Sequence, residues 1–468
     1  MTFDWSIFID LGILSAALLL ATLVRARVPF FQKYLIPNAL TAGFIALPFY
    51  NFIAPGLGLD ISGLRNLVYH LLSISFIAMT LRKSENGGAK GKMVLSTSLS
   101  ILSQYSVQCL LGFGLGILLM LTMLPKIFPG FGLFLTMGFS LGPGQAFAMG
   151  TGWEKYGFDG AGTVGLTFGA IGFIWACFGG MTILNLAVRR GWIKKGELSS
   201  IERDDVRTGI YDPDRHMVGS EVKTEPEAID PLTFNVAFVF VAYLLSFLFL
   251  KLITWLLSFA GNAGNEFAWN LWGISFIFAA LTASVMKKII SLAGIDYLTD
   301  NGSLNRISGL SVDLMVAASI GAISLVVVRQ YWMPILLVST IGGIVTTVLT
   351  LWISSRLFDD HVFHRTILIY GTATGTLPTG LALLRVIDPD FETPASRDYM
   401  YSVGITFLLA IPMILTMNLV SYGFTTGDSL YYWIIFAVYS GYMIFVLVAY
   451  RILSGKRAFS KPHKIWYR

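Results

Sequence analysis

Charge is what this sequence has least of. Only 13% of its 468 residues are Asp, Glu, Lys or Arg, against roughly a quarter in an average soluble domain. With 55% hydrophobic residues and a mean hydropathy of +0.70, the chain carries more apolar surface than water-facing globules can hide, so composition points to a bilayer as its solvent. Cysteine is also scarce. Cys109 and Cys177 both lie inside apolar runs, which excludes a disulfide-stapled scaffold and leaves neither thiol with a partner at metal-ligand spacing. His216, His361, His364 and His463 fall in loops or tails, so no metal cluster is expected. Glycine shows no fixed period, which excludes a collagen-like repeat.

What is present is a series of apolar runs. A hydrocarbon core about 30 Å thick needs ~20 apolar residues per helix. Runs of that scale fall near 5–24, 35–53, 65–81, 93–122 and 160–188, then near 232–257, 270–286, 308–328, 333–355 and 399–420, with an eleventh near 430–450. The first is not a cleaved signal peptide, because it has no basic segment ahead of it and carries Asp4 and Asp10 instead.

Two further stretches, 131–151 and 366–387, are long enough to cross but are interrupted in the middle by Gly, Pro and Thr. Either is readable as a kinked packing helix, since Gly and Pro are frequent in membrane helices. We favour re-entrant hairpins, because unwound backbone at membrane depth is tolerated only where it is buried in protein or lines a wet cavity. Charge counting tests the choice. With the N-terminus outside and neither hairpin crossing, 28 basic residues fall in inside loops, among them Lys90, Lys194, Lys195, Arg203, Arg215 and Arg468. Only Arg65, Lys126, Lys155 and Arg329 fall outside, with Lys251 within a span. That bias fits the positive-inside rule. The net charge of +6 is then a topology signal and calls for no nucleic-acid partner.

The expected fold class is therefore an all-α polytopic membrane protein built from inverted repeats. Each has five transmembrane helices and a re-entrant hairpin, and one C-terminal helix is added. The first repeat covers 1–188, a cytoplasmic linker 189–231, the second repeat 232–420, and the extra span with a basic tail 421–468. The linker holds 8 basic and 10 acidic residues, Glu197, Glu202, Asp212 and Asp214 among them, and reads as a solvated connection. Hairpins entering from opposite sides can meet near the midplane, as in secondary transporters.

The hairpins hold the candidate chemistry. In the first, Gly138, Ser140, Gly142, Pro143, Gly144 and Gln145 free backbone groups in a region without formal charge; in the second, Gly371, Thr372, Thr374, Gly375, Thr376, Pro378 and Thr379 do the same with more hydroxyls. Freed carbonyls near Gly144 and Gly375 suit a small cation such as sodium, and half-helix N-termini suit a carboxylate. Any single Thr is equally readable as packing. Ionisable residues inside spans are few. Asp10 and Asp313 each lie about one turn inside and are expected to be solvated at the interface, and Lys251 can snorkel. Gly138-Phe139-Ser140-Leu141-Gly142 fits G-x-S-x-G, but that elbow needs a strand before it, so a membrane serine hydrolase pairing Ser140 with His70 is a distant alternative. The G-x-G-x-x-G at 160–165 lacks its strand and acidic partner and reads as helix packing. No catalytic residues and no organic cofactor are expected.

The segments YLIPNALTAGFIALP (34–48), SLGPGQAFAMGTGWEKYGFDGAGTVGLTFGAIGF (140–173) and TATGTLPTGLALLRVID (372–388) resemble the bacterial sodium/glutamate symporter family. Gly375, Pro378 and Thr379 fall on that family's Gly-Ala-Thr-Pro-Thr run. The resemblance implies a sodium-coupled symporter of glutamate or a related small anionic amino acid in a bacterial cytoplasmic membrane. It also implies elevator-like movement and a homodimer joined through its non-moving parts. The chain departs from the pattern at several points. The resemblance also makes Asn418 a candidate binding residue, but the family's Gly-Gly-His-Gly-Thr tip is here Gly142-Pro143-Gly144-Gln145-Ala146, Thr376-Leu377 replaces an Ala-Thr pair, and the acidic residue expected ahead of Asn418 is missing. These departures leave another amino acid or small carboxylate open as substrate. A passive channel is the rival reading from a different class, because Gly and Thr hairpins suit a filter equally well.

Overall fold

The computed structural model describes residues 5–83, 91–193, 204–211, 219–388 and 392–467. Of the residues weighed above, Asp4, Lys90, Lys194, Lys195, Arg203, Arg215, Arg468, Glu197, Glu202, Asp212, Asp214 and His216 lie outside them, as does much of the 189–231 linker. The described residues are helical, with no strand among them. In the first half the helices are α1 (Ser6–Arg27), α2 (Asn38–Leu57), α3 (Ser62–Leu81), α4 (Gly91–Thr122), α5 (Phe131–Leu141), α6 (Pro143–Glu154) and α7 (Ala161–Arg189). The second half holds α8 (Pro231–Ser258), α9 (Gly261–Gly273), α10 (Ser275–Leu292), α11 (Asn301–Gly321), α12 (Leu325–Leu357), α13 (Val362–Thr374), α14 (Leu377–Leu384), α15 (Ala395–Thr426) and α16 (Leu430–Arg457). Ten of these are long and apolar enough to cross a membrane. The outer faces of α8 and α16 carry the apolar residues a bilayer would cover, such as Leu248, Leu252, Trp255, Ile444, Val448 and Ile452.

Two boundaries differ from the sequence expectation, each for a local reason. The run at 308–328 straddles the end of α11. Asp300 caps that helix seven residues earlier by accepting from Ser303 N at 2.6 Å, in the manner of an N-cap carboxylate. The sharp turn into α12 is held by Asn51 of α2, which donates to Ile323 O at 2.9 Å and accepts from Leu325 N at 3.0 Å. The run at 270–286 is likewise split at Ile274 into α9 and α10. Asp10 also differs. It is buried rather than solvated, and Tyr50 donates to it at 2.5 Å.

Helices pack in reciprocal pairs across the two halves. α2 lies on α11 as α10 lies on α3, α4 lies on α15 as α12 lies on α7, and α1 lies on α2 as α8 lies on α10. Directions are fixed by specific contacts. Ser402 donates to Val94 O at 2.9 Å and Thr406 to Ser98 O at 3.3 Å, so α4 and α15 run parallel. Gly160 sits beside Val327 and Gly343 beside Trp175, so α7 and α12 also run parallel. α3 and α11 are antiparallel, with Lys83 N on Asn301 Oδ1 at one end and Gly321 against Leu64 at the other.

Each interrupted segment folds back on itself. Phe134 in α5 lies 5.3 Å from Trp153 in α6, ring centroid to centroid, about equally far from the break at Gly142. In the second segment Gly371 of α13 packs on Gly380 of α14, with no room for a Cβ on either.

The chain after α16 returns across the end of α12. Arg356 is fully buried and donates to the backbone carbonyls of Ser460, Lys461 and Lys464 at 3.2, 2.9 and 2.7 Å. Trp466 stacks on Trp192 at 4.6 Å. Between α12 and α13, Asp359 accepts from Lys92 at 2.7 Å and pairs with Arg457. The hydrogen bond from Lys92, assisted by Arg457, holds the Asp359 carboxyl below the usual carboxylate range. A carboxylate depressed on folding stabilises the fold above its unfolded value, near 4, and loses that contribution as pH falls through the lower folded value. Amide hydrogen exchange across 455–467, corrected for intrinsic rates, is therefore expected to accelerate on acidification below about pH 4, and Asp359→Asn is expected to abolish that dependence. A pH profile unchanged by the substitution would exclude Asp359 as the tail's anchor.

Candidate functional site

The two breaks meet. Gly142 ends α5 with φ 102° and ψ 166°, backbone open in practice only to glycine, and Pro143 starts α6 where its missing N–H costs nothing. The space beside Gly142 is bounded by Thr376 Cγ2 and Gln145 Oε1, so the tip of one hairpin touches the tip of the other. Thr376 stands in extended conformation ahead of α14, with Pro378 in its first turn. Neither α6 nor α14 has a side chain capping its N-terminus. The free amides of two short helices and the terminal carbonyls of α5 and α13 thus converge in one place.

A residue of α4 ties the tips together. Gln108, buried, donates to Ala373 O at 3.0 Å and to Thr346 Oγ1 at 2.9 Å. Ser140 Oγ lies 2.6 Å from Gln108 Oε1 and 3.1 Å from Ala373 O. Next to this bridge is a cavity of about 10 Å³, lined by Ser140, Thr372, Tyr105 and Tyr399 among others, close to the size that one water molecule needs. The Thr379 hydroxyl, buried beside Gly375, has no hydrogen-bond partner.

Of the residues expected at the site, Ser140, Gly142, Gln145, Thr372, Thr374, Gly375, Thr376 and Thr379 are brought to this junction. Thr374 and Thr372 turn their hydroxyls back on Tyr370 O and Ile369 O at 2.8 and 2.9 Å, the helix-internal role that Thr can equally fill. Pro143 packs against Gly169, and Gly144 against Leu72 and Met315, so these two positions set helix proximity. Pro378 is exposed. Asn418 is away from the tips, at the far end of α6, where its Oδ1 accepts from Trp153 Nε1 at 3.3 Å. His70 is not brought to Ser140. It pairs instead with the Tyr243 hydroxyl at 2.6 Å.

Gln108 and its neighbour one turn back, Gln104, were not among the expected residues. They carry no formal charge, and their signal in the sequence is a pair of carboxamides at i and i+4 inside the apolar run at 93–122. Among the described residues no group of three or more His, Cys, Asp or Glu is placed to hold a metal ion. No family model, curated protein or solved structure matches this chain.

Gln108→Leu keeps the volume but strips Ser140, Thr346 and Ala373 O of their shared partner. It is expected to lower stability by about 1–3 kcal/mol, read as an earlier melting transition of the purified protein. Unchanged melting would mean that the bridge does not hold the tips.

Proposed function

We propose that this chain is a secondary active transporter, importing a small anionic amino acid such as glutamate together with sodium. The observation that carries the reading is the contact of two uncapped half-helix tips, buried Gly142 on half-buried Thr376. Amide-rich N-termini favour a carboxylate, while free carbonyls and the hydroxyls of Ser140 and Thr379 replace water around a small cation.

Several packing features support inverted repeats with re-entrant hairpins. The reciprocal pairing of α2, α3 and α4 with α11, α10 and α15 is what a two-fold relation between the halves produces. The folding back of α5 on α6 and of α13 on α14 supports hairpins that return to the side they enter from.

The contacts of α6 and α15 with α3, α10 and α11 suit an elevator-like displacement. Where α6 meets α3 and α11, Gly144 faces Leu72 and Met315. Where α15 meets α3 and α10, Phe407 lies against Phe76 and Phe276 at centroid distances of 5.8 and 6.5 Å. Apolar side chains of this kind slide without breaking hydrogen bonds. In this reading the N-terminus is outside a bacterial cytoplasmic membrane, and the protein is a homodimer.

One glutamate moving with two or more sodium ions carries net positive charge inward, gaining about 2.3 kcal/mol per charge per 100 mV. Proteoliposomes given labelled L-glutamate and an inward sodium gradient are expected to concentrate it above the outside level, with an inward current. An equal potassium gradient is expected to give neither. Uptake that only equilibrates would replace symport by a channel. Absence of uptake by inserted, folded protein would exclude glutamate and move the substrate to another small carboxylate.

A further inference from the structure

A second cavity, of about 350 Å³, opens between α3, α6 and α9, away from the hairpin tips. We propose that it binds a small monocarboxylate with an apolar or aromatic body. The size lies within the range of small-molecule sites, which are mostly apolar with a few convergent polar groups.

The polar end is set by α3. Ser62, Arg65, Asn66 and Tyr69 share one helical face and line the cavity, as the i, i+3, i+4, i+7 spacing requires. Arg65 donates through Nη2 to Thr163 Oγ1 at 3.2 Å, while its Nε is buried without a hydrogen-bond partner. Among the described residues no carboxylate forms an ion pair with it. Asp60, whose charge Arg65 feels, is engaged instead by Ser62, which donates from its backbone N–H at 2.8 Å and from its hydroxyl. A guanidinium that no carboxylate pairs with among the described residues, beside the Asn66 carboxamide, is matched to a carboxylate. Within the lining itself the Arg65 guanidinium is the positive charge, which suits one carboxylate.

The apolar end is set by α9 and α6. Trp272 is fixed at both ends, its carbonyl accepting from Tyr69 Oη at 2.8 Å and its indole donating to Thr254 Oγ1 at 3.0 Å. Trp269 forms another wall, with the Lys155 ammonium 5.2 Å from its ring, so the rim is also positive. Phe147 and Gly152 of α6 close the cavity. These walls are rigid and flat, which suits a ring or a branched chain. Occupancy of the site is readable by binding alone, whether or not the protein transports at the hairpin tips.

The test is calorimetric titration of phenylacetate into the purified protein in phosphatidylcholine nanodiscs, with phenylacetamide as the uncharged counterpart. Saturable phenylacetate binding is expected, at least tenfold weaker for the amide and for Arg65→Gln. Gly152→Leu is expected to abolish it by filling the cavity. A Cβ at Gly152 meets nothing within 4 Å, so this variant should fold even if the Arg65 variant does not. No saturable binding, equal binding of acid and amide, or binding untouched by Gly152→Leu would overturn the proposal. Loss of phenylacetate binding on changing the lipid to phosphatidylglycerol would also overturn it, by assigning the cavity to a lipid headgroup.

Discussion

Backbone amides and carbonyls that leave a helix inside a protein must find partners there, and among the described residues helices break off against each other at Gly142 and at Gly375–Thr376. The rest of the architecture is arranged around those two interruptions. Each lies against the other, and a glutamine from α4 spans them, contacting Ser140 on one side and Ala373 O on the other. The flanking helices come close enough to wrap the breaks because glycine lines their contact. Gly112 of α4 meets Gly132 of α5 backbone to backbone, and a side chain on either would overlap the other. Glycine thus serves twice here, in one place as a conformation and in the other as an absence of bulk.

Much of the helical frame was legible because a bilayer imposes a length. Most of the apolar runs returned as helices close to their expected bounds, and the two interrupted segments returned as paired short helices. The failures share a cause. The end of α11 and the split at Ile274 occur inside apolar sequence, and the first is decided by Asn51, some 270 positions away in the chain. No local pattern carries that information. Asp10 misled for the opposite reason. Its position near a helix start suggested water, but Tyr50 from the next helix covers it.

The candidate site was legible in its backbone and not in its side chains. Gly142, Gly375 and the prolines mark where helices stop, and sequence shows that directly. Which hydroxyls face the junction is settled by helix rotation, so Ser140 faces Gln108 while Thr374 turns back on its own turn. Asn418, grouped with the site by its resemblance, proved to secure the far end of α6 through Trp153.

Arg356 adds a constraint of another kind. Its guanidinium is wholly enclosed at the end of α12, and three of its acceptors belong to residues about a hundred positions later, between Ser460 and Lys464. Until those residues leave the ribosome, the cation has only Trp352 O and Ser355 nearby, and a buried charge without enough partners is costly. The burial of this cation is therefore completed by residues 460–464, which follow α16, and α16 packed in place does not by itself supply its acceptors.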